Sequence, residues 1–115
     1  MVEQPSEHLD SVFHALADPT RRSMLHSLAE RERTVSELAG PFRMSLAAAS
    51  KHVKTLERAG LVRRQVQGRT HLCSLDPGPL SEAREWLRFY ERFWTERLDA
   101  LEALFETPDE PTPKE

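Results

Sequence analysis

The stretch over residues 44–61, MSLAAASKHVKTLERAGL, constrains the fold of this chain more than any other. Ser45 is a residue type that caps helices, and Gly60 stands where a helix would end in the left-handed conformation. Between them the apolar residues Ala49, Val53 and Leu56 follow one another at intervals of four and three. This spacing predicts a helix over residues 45–59 with one narrow buried face.

The other side of this helix carries small or basic residues and no acid: Ala47, Ser50, Lys51, Lys54 and Arg58. Residues 43–69 contain seven Lys or Arg and a single carboxylate, Glu57. Small residues let a helix backbone approach another surface closely, and cations neutralise phosphate. The pattern is typical of a helix that inserts into the major groove of DNA. The alternative is an amphipathic helix whose polar side merely faces solvent.

Two helices are predicted at the start of the chain. The first begins after Ser6 as N-cap, with apolar residues at helical spacing from Leu9 to Leu16. Asp18-Pro19 ends it and starts the second helix, because aspartate caps well and proline fits a first turn. This second helix, residues 19–30, buries Met24, Leu25 and Leu28. Near its start Arg21 and Arg22 are expected to face solvent rather than phosphate.

A short third helix is predicted before the basic one. Thr34 and Glu37 have the spacing of a capping box, and Val35 and Leu38 supply an inner face. A turn over residues 40–44 then leads to Ser45. Two short helices joined through a glycine-containing turn form a helix-turn-helix, and here the second helix is the one with small and basic residues.

A hairpin is predicted directly after the basic helix. Residues 62–66 and 70–75 each have the pattern of a strand, and Gln67-Gly68-Arg69 separates them. Arg63, Arg64 and Arg69 cluster on and beside this hairpin. Arginines on a hairpin usually protect a solvated strand edge. Their position next to a candidate recognition helix favours a wing that reaches the DNA backbone or the minor groove.

A long final helix, residues 80–105, is predicted after the break Asp76-Pro77-Gly78-Pro79. Its apolar residues recur every three or four positions for seven turns, and they include Leu87, Tyr90, Trp94, Leu98 and Leu101. A chain of 115 residues covers only part of such a face by itself. The helix is therefore predicted to form a subunit interface, the alternative being an intramolecular core.

The composition indicates one globular domain, predicted at residues 6–106, between disordered segments at 1–5 and 107–115. No apolar run has the length of a membrane span, and the first residues do not resemble a signal peptide. The single cysteine makes a cytoplasmic location the default.

No nucleophile–base spacing, phosphate loop or metal-ligand cluster indicates an enzyme. The net charge of −3 does not argue against DNA, because the local field matters.

The chain resembles the ArsR/SmtB-type family of winged helix-turn-helix transcriptional repressors. The passages FHALADPTRRSMLHSL, MSLAAASKHVKTLERAGLV and RRQVQGRTHLCSL carry the resemblance. It implies a mainly α fold with a small β-hairpin, ordered as four helices, hairpin and helix. It also implies a homodimer that binds an operator in double-stranded DNA, with Leu9 and Phe13 of the first helix joining the last helix at the interface. The DNA-contacting positions implied are Ser45, Ala47, Ser50, Lys51, His52, Lys54, Arg63, Arg64 and Arg69.

The sensor region departs from the metal-binding members of this family. The third helix contains no cysteine and the last helix contains no histidine, so no metal site and no cofactor are expected. Any signal would then be an unidentified small molecule, thiol oxidation at Cys73, or protein level. Two alternatives stay open at this point: a MarR-like regulator, and a winged-helix module that binds protein rather than DNA.

Overall fold

The computed structural model describes the backbone of residues 3–106 and the side chains of residues 8–105. This part of the chain forms five helices and three strands. The helices are α1 (Glu3–Leu16), α2 (Pro19–Glu30), α3 (Val35–Ala39), α4 (Leu46–Arg58) and α5 (Gly78–Glu106). The strands are β1 (Arg33–Thr34), β2 (Val62–Gln67) and β3 (Thr70–Leu75). The mainly α fold with a hairpin between the fourth and fifth helices is as predicted.

The chain divides into two compact units, residues 1–83 and 84–115. The first unit contains α1 to α4, the sheet and the first residues of α5. The described part of the second unit is the rest of α5. No helix in the described part of the chain is both long enough and apolar enough to cross a membrane.

Side-chain caps start three of the helices where the sequence predicts them. The Asp18 carboxylate accepts a hydrogen bond from the backbone N–H of Arg21, 3.0 Å away. Thr34 and Glu37 complete both bonds of a capping box at α3, at 3.1 and 2.9 Å. Ser45 Oγ accepts from the backbone N–H of Ala48 at 3.0 Å. Each cap satisfies donors that a helix N-terminus leaves without a partner.

The core of the first unit lies between the helices and one face of the sheet. Every buried position predicted for α2, α3 and α4 is buried. Ala49, Val53 and Leu56 of α4 are completely inaccessible to solvent, as is Leu61 just after it. Gly60 adopts a φ of 78°, which a glycine adopts without strain and which ends α4 as predicted. The recognition-helix candidate is therefore seated on the core by one narrow stripe.

The sheet has one strand more than predicted. Its order is β1-β3-β2, and both pairs are antiparallel. Strand β1 pairs Arg33 with Cys73 and Thr34 with Leu72. Two residues have no periodicity of their own, so the pairing with β3 alone defines this strand. The predicted hairpin is confirmed, with β2 one residue longer than expected and Gly68 at its tip with a φ of 65°.

The start of α1 differs from the prediction that Ser6 caps this helix. Helix α1 begins at Glu3, so residues 3–5 are helical and Ser6 lies inside the helix instead of capping it. The rest of the disorder prediction concerns residues 1–2 and 107–115, which lie outside the described residues. The last helix begins at Gly78, whose N–H donates to the Asp76 carboxylate at 3.0 Å.

Candidate nucleic-acid interface

Helix α4 presents the basic side that its sequence predicts. Ala47, Lys51, Lys54 and Arg58 are all exposed, on the side opposite the buried stripe. No carboxylate among the described residues lies within ion-pair distance of either lysine or of Arg58. The positive charge on this side is therefore not neutralised by neighbours, and it is available to an anionic partner. Ser50 is half-buried at the edge of this side.

The three hairpin arginines occupy different environments. Arg69, beside the hairpin tip, is exposed. The Arg63 side chain is 77% exposed, and its Nη2 lies 3.2 Å from the Asp76 carboxylate. A surface ion pair of this kind contributes little to stability, so Arg63 can exchange its partner at small cost. Arg63 and Arg69 are thus free to approach a DNA backbone.

Arg64 differs from the other two and does not support the DNA contact predicted for it. Its side chain is only 12% exposed and its Nη2 donates to Glu57 Oε1 of α4 at 3.0 Å. Its Nη1 lies 3.2 Å from His71 Nδ1 on β3. Because a guanidinium can only donate hydrogen bonds, His71 accepts this one. Arg64 therefore joins the hairpin to α4.

A cleft of about 410 Å³ separates α4 from α3 and the hairpin. Seven of its nine lining residues carry a hydroxyl, guanidinium or imidazole group, and none carries a carboxylate. The lining residues are Thr34, Val35, Ser36, Leu46, Ser50, Arg64, Arg69, Thr70 and His71. The hydroxyl groups and the exposed Arg69 guanidinium are donors that suit a phosphate group, whereas Arg64 is already bound to Glu57 and His71.

Arg22 is exposed, as predicted, whereas Arg21 is half-buried, and both arginines bond to the end of α1. Arg21 donates from Nε to the carbonyl of Ala15 at 2.8 Å and from Nη2 to the carbonyl of His14 at 3.0 Å. Arg22 donates from Nη1 to the carbonyl of Leu16 at 2.7 Å. The last carbonyls of a helix have no partner within it and carry partial negative charge, which these cations satisfy. The two arginines of α2 therefore cap the C-terminus of α1.

His52 of α4 is half-buried, and its Nδ1 lies 3.2 Å from Nη1 of Arg21. The Arg21 guanidinium is thus bound both to the end of α1 and to the flank of α4. This contact favours a packed, structural role for His52 over the DNA contact that the family resemblance implies. The sequence alone did not predict the contact between Arg21 and His52. The signal available was the passage ADPTRR, in which two adjacent arginines follow the end of a helix and can bond to its last carbonyls.

The cap at Asp18 is expected to make stability depend on pH. Chiefly the hydrogen bond from the Arg21 N–H, helped by electrostatic interactions with His52 and Arg21, lowers the pKa of Asp18 below its ordinary value of 3.8. A lowered folded-state pKa contributes stability above pH 3.8, and this contribution is lost as the pH falls through the lowered value. Asp18→Ala should cost about 1 kcal/mol near neutral pH, a deficit that shrinks in acid.

Urea unfolding of the wild type and Asp18→Ala across the acidic range measures this. Asp18→Asn is the control, because its amide oxygen still caps the helix without a charge. It should lose little stability near neutral pH. A deficit in Asp18→Ala that stays constant as the pH falls would contradict the role of the carboxylate.

Cys73 is completely buried on β3, and burial raises the pKa of its thiol above the ordinary value of 9.0. A thiolate is the metal ligand and the reactive form of cysteine. Among the described residues, no three His, Cys, Asp or Glu side chains converge on a point that could hold a metal ion. The neighbouring histidine on the strand, His71, is already bound to Arg64.

We expect zinc, cadmium and arsenite to leave DNA binding unchanged, because a single buried thiol offers no chelating set. A DNA-binding titration with and without stoichiometric metal tests this, repeated with Cys73→Ser. A large loss of DNA affinity at one metal ion per subunit that disappears in the serine variant would show a sensor at Cys73.

The second unit exposes a broad aromatic and aliphatic band. Tyr90, Trp94, Leu98 and Leu101, all predicted interface residues, are 38%, 52%, 63% and 50% exposed. Leu87 is half-buried, as are Leu9 and Phe13 of α1. Neighbouring rings on α5 pack on one another, with the centroids of Phe89 and Tyr90 5.0 Å apart, edge to face. An exposed band of this width on one helix is typical of an interaction surface.

A helix-turn-helix followed by a basic β-hairpin defines a winged helix-turn-helix DNA-binding protein. Comparisons with known proteins identify the same class, and a family model described as a helix-turn-helix domain matches residues 16–65. The HTH-type transcriptional regulator Rv2034 of Mycobacterium tuberculosis (strain ATCC 25618 / H37Rv) is 36% identical over 103 residues, covering 90% of this chain and 94% of that protein. The transcriptional repressor SdpR of Bacillus subtilis (strain 168) is 29% identical over 79 residues, covering 69% of this chain and 88% of SdpR.

Among solved structures, the ArsR family transcriptional regulator RHA00566 shares 41% sequence identity with a TM-score of 0.73. The similarity covers 78% of this chain and 93% of that one. The chain belongs to the ArsR family of helix-turn-helix transcriptional regulators. This confirms the family that the three sequence passages indicate, and the MarR-like alternative is not supported.

Proposed function

We propose that the protein is a homodimeric repressor that binds an inverted-repeat operator through α4 and the hairpin wing. One observation carries the proposal: the exposed side of α4 is basic, free of acids and built on small residues. Such a surface lets the helix backbone approach the floor of the major groove while its cations lie near phosphates. The transcriptional repressor SdpR, one of its relatives, supports repression as the outcome.

The residues of α4 and of the wing tip have distinct parts in this proposal. Ala47 and Ser50 face the base edges, since short side chains there leave room for close approach. Lys51 and Lys54 bind phosphates beside the groove. Arg69 on the wing tip reaches the adjacent backbone, and the cleft between α3 and the wing receives one phosphate. Ser45 keeps its capping bond to the N–H of Ala48, and its hydroxyl donates a hydrogen bond to the DNA backbone.

Dimerisation through α5, with Leu9 and Phe13 of α1, places two such surfaces on one DNA. Two half-sites about one helical turn apart then mirror the two-fold symmetry of the protein. A dimer bound over a promoter excludes RNA polymerase, which is the simplest route to repression. The proposal places the protein in the cytoplasm with the DNA, ascribes no catalysis to it, and leaves room for an unidentified small-molecule effector.

Selection of DNA fragments from a random pool by the purified full chain tests this proposal. We expect enrichment of an imperfect palindrome, with an affinity that falls steeply as salt concentration rises. A protein-interaction module without DNA binding would enrich no sequence and show no salt-dependent shift with any duplex. That outcome would overturn the proposal.

A further inference from the structure

The apolar contact between α4 and the core is a narrow one. The three residues of its buried stripe, Ala49, Val53 and Leu56, are small or aliphatic. The hydrophobic effect is not directional, so burial of this stripe fixes the rotation of α4 less closely than a directed hydrogen bond would. Recognition of base edges needs hydrogen bonds whose lengths vary by only a few tenths of an ångström. A directional contact on its flanks would hold the rotation of α4 more closely than burial of the stripe alone.

Directional contacts exist on both flanks of the buried stripe. On one flank Arg64 of the wing donates to Glu57 at 3.0 Å. On the other flank Arg21 of α2 lies 3.2 Å from His52 Nδ1. At 100° per residue, His52 and Glu57 lie on opposite sides of Val53 around the helix. Two arginines thus hold α4 from two sides.

The Arg21 contact restrains α4 more than the Arg64 contact does, because the Arg21 guanidinium is itself held by the end of α1. Its guanidinium uses Nε and Nη2 on the carbonyls of Ala15 and His14, and Nη1 on His52. The fork is planar and rigid, so two bonds to the end of α1 fix the direction of the third donor. The ammonium group of a lysine is a single point and cannot span these three acceptors.

We propose that Arg21 is a positioning residue for DNA recognition, which sets the rotation of α4 through His52 without touching DNA itself. The inference rests on the proposed function, in which α4 reads the operator. It assigns His52 to the inner support of α4 instead of the phosphate contact that its place on a recognition helix indicates. Loss of this support would let α4 turn, which weakens operator binding more than non-specific binding.

The experiment compares affinity for the selected operator with affinity for a random duplex, at several salt concentrations. Arg21→Lys keeps the charge and loses the fork, and His52→Leu removes the acceptor. Each is expected to lower the ratio of the two affinities by about fivefold, the effect of one lost hydrogen bond. The salt slope should stay unchanged, because no phosphate contact is lost.

Two matched variants separate positioning from other roles. Arg22→Lys loses an equivalent bond to the end of α1, and Arg22 makes no hydrogen bond or ion pair to α4, so the affinity ratio of this variant should remain that of the wild type. His52→Asn places an amide oxygen where Nδ1 lies and should restore the ratio. The double variant Arg21→Lys, His52→Leu should lose no more than either single variant, because both remove one interaction. Thermal unfolding checks that each variant is folded. If Arg21→Lys does not fold, His52→Leu alone tests the inference.

Several results would overturn the inference. An unchanged ratio in Arg21→Lys and His52→Leu would show that packing alone sets α4. An equal fall in the affinity ratio of Arg22→Lys would show that the effect comes from the lost bond to the end of α1 and not from the contact with His52. A salt slope lower by about one in His52→Leu would show a direct phosphate contact. A wild-type protein with no preference for any sequence would refute the proposed function as well, and so differs from a failure of this inference alone.

Discussion

Replacing Trp94 by glutamate is expected to turn a dimer into a monomer and to weaken operator binding by about 100-fold or more. Trp94 lies in the exposed band of α5 and its side chain is 52% exposed in the single chain. If this band is covered by a second copy, each dimer would bury two unpaired carboxylates. Burying an uncompensated charge costs about 3 kcal/mol or more, which exceeds what one interface residue contributes. Sedimentation velocity at micromolar protein concentration measures the change.

Thr95→Glu is the matched control. It introduces the same charge at the next residue, which the 100° step turns towards the polar side of α5. This variant should sediment as a dimer and bind the operator like the wild type. A wild-type protein that is monomeric at micromolar concentration would refute dimerisation through α5, and so would a Trp94→Glu variant that stays dimeric.

Removing both lysines of α4 is expected to weaken binding to every DNA sequence. Lys51 and Lys54 are exposed and have no carboxylate neighbour among the described residues. Each lysine that neutralises a phosphate contributes about 0.9 to the slope of log affinity against log salt concentration. The Lys51→Ala, Lys54→Ala variant should therefore bind roughly tenfold weaker for each lysine, with a slope lower by about two. Fluorescence anisotropy at a series of salt concentrations measures both quantities.

Arg31→Ala controls for the loss of a positive charge as such. Arg31 is an exposed residue at the C-cap of α2, outside the basic segment over residues 43–69, and its removal should leave the salt slope unchanged. Ser50→Ala is the complementary variant, which should change the preferred sequence and not the slope. A lysine double variant with the affinity and slope of the wild type would exclude this side of α4 from the interface.

The local features of this protein follow from sequence rules that act within a few residues. Asp18, Thr34 and Ser45 cap α2, α3 and α4, because each cap links a side chain to a backbone N–H three residues away. Gly60 ends α4 for an equally local reason, its positive φ. The helical spacing within α4 also determined which residues are buried and which form the basic side. The family was evident from the same passages, since they keep these local signals in a characteristic order.

Only the tertiary structure decided what the arginines do. Arg21 and His52 are 31 residues apart, and no periodicity links them. Arg64, read from the sequence as a wing residue for DNA, is turned inward because α4 places Glu57 beside it. Strand β1 likewise exists only because β3 lies alongside two residues with no pattern of their own. A guanidinium bonds to any acceptor that the fold brings near, and which acceptors those are depends on contacts between elements distant in the chain.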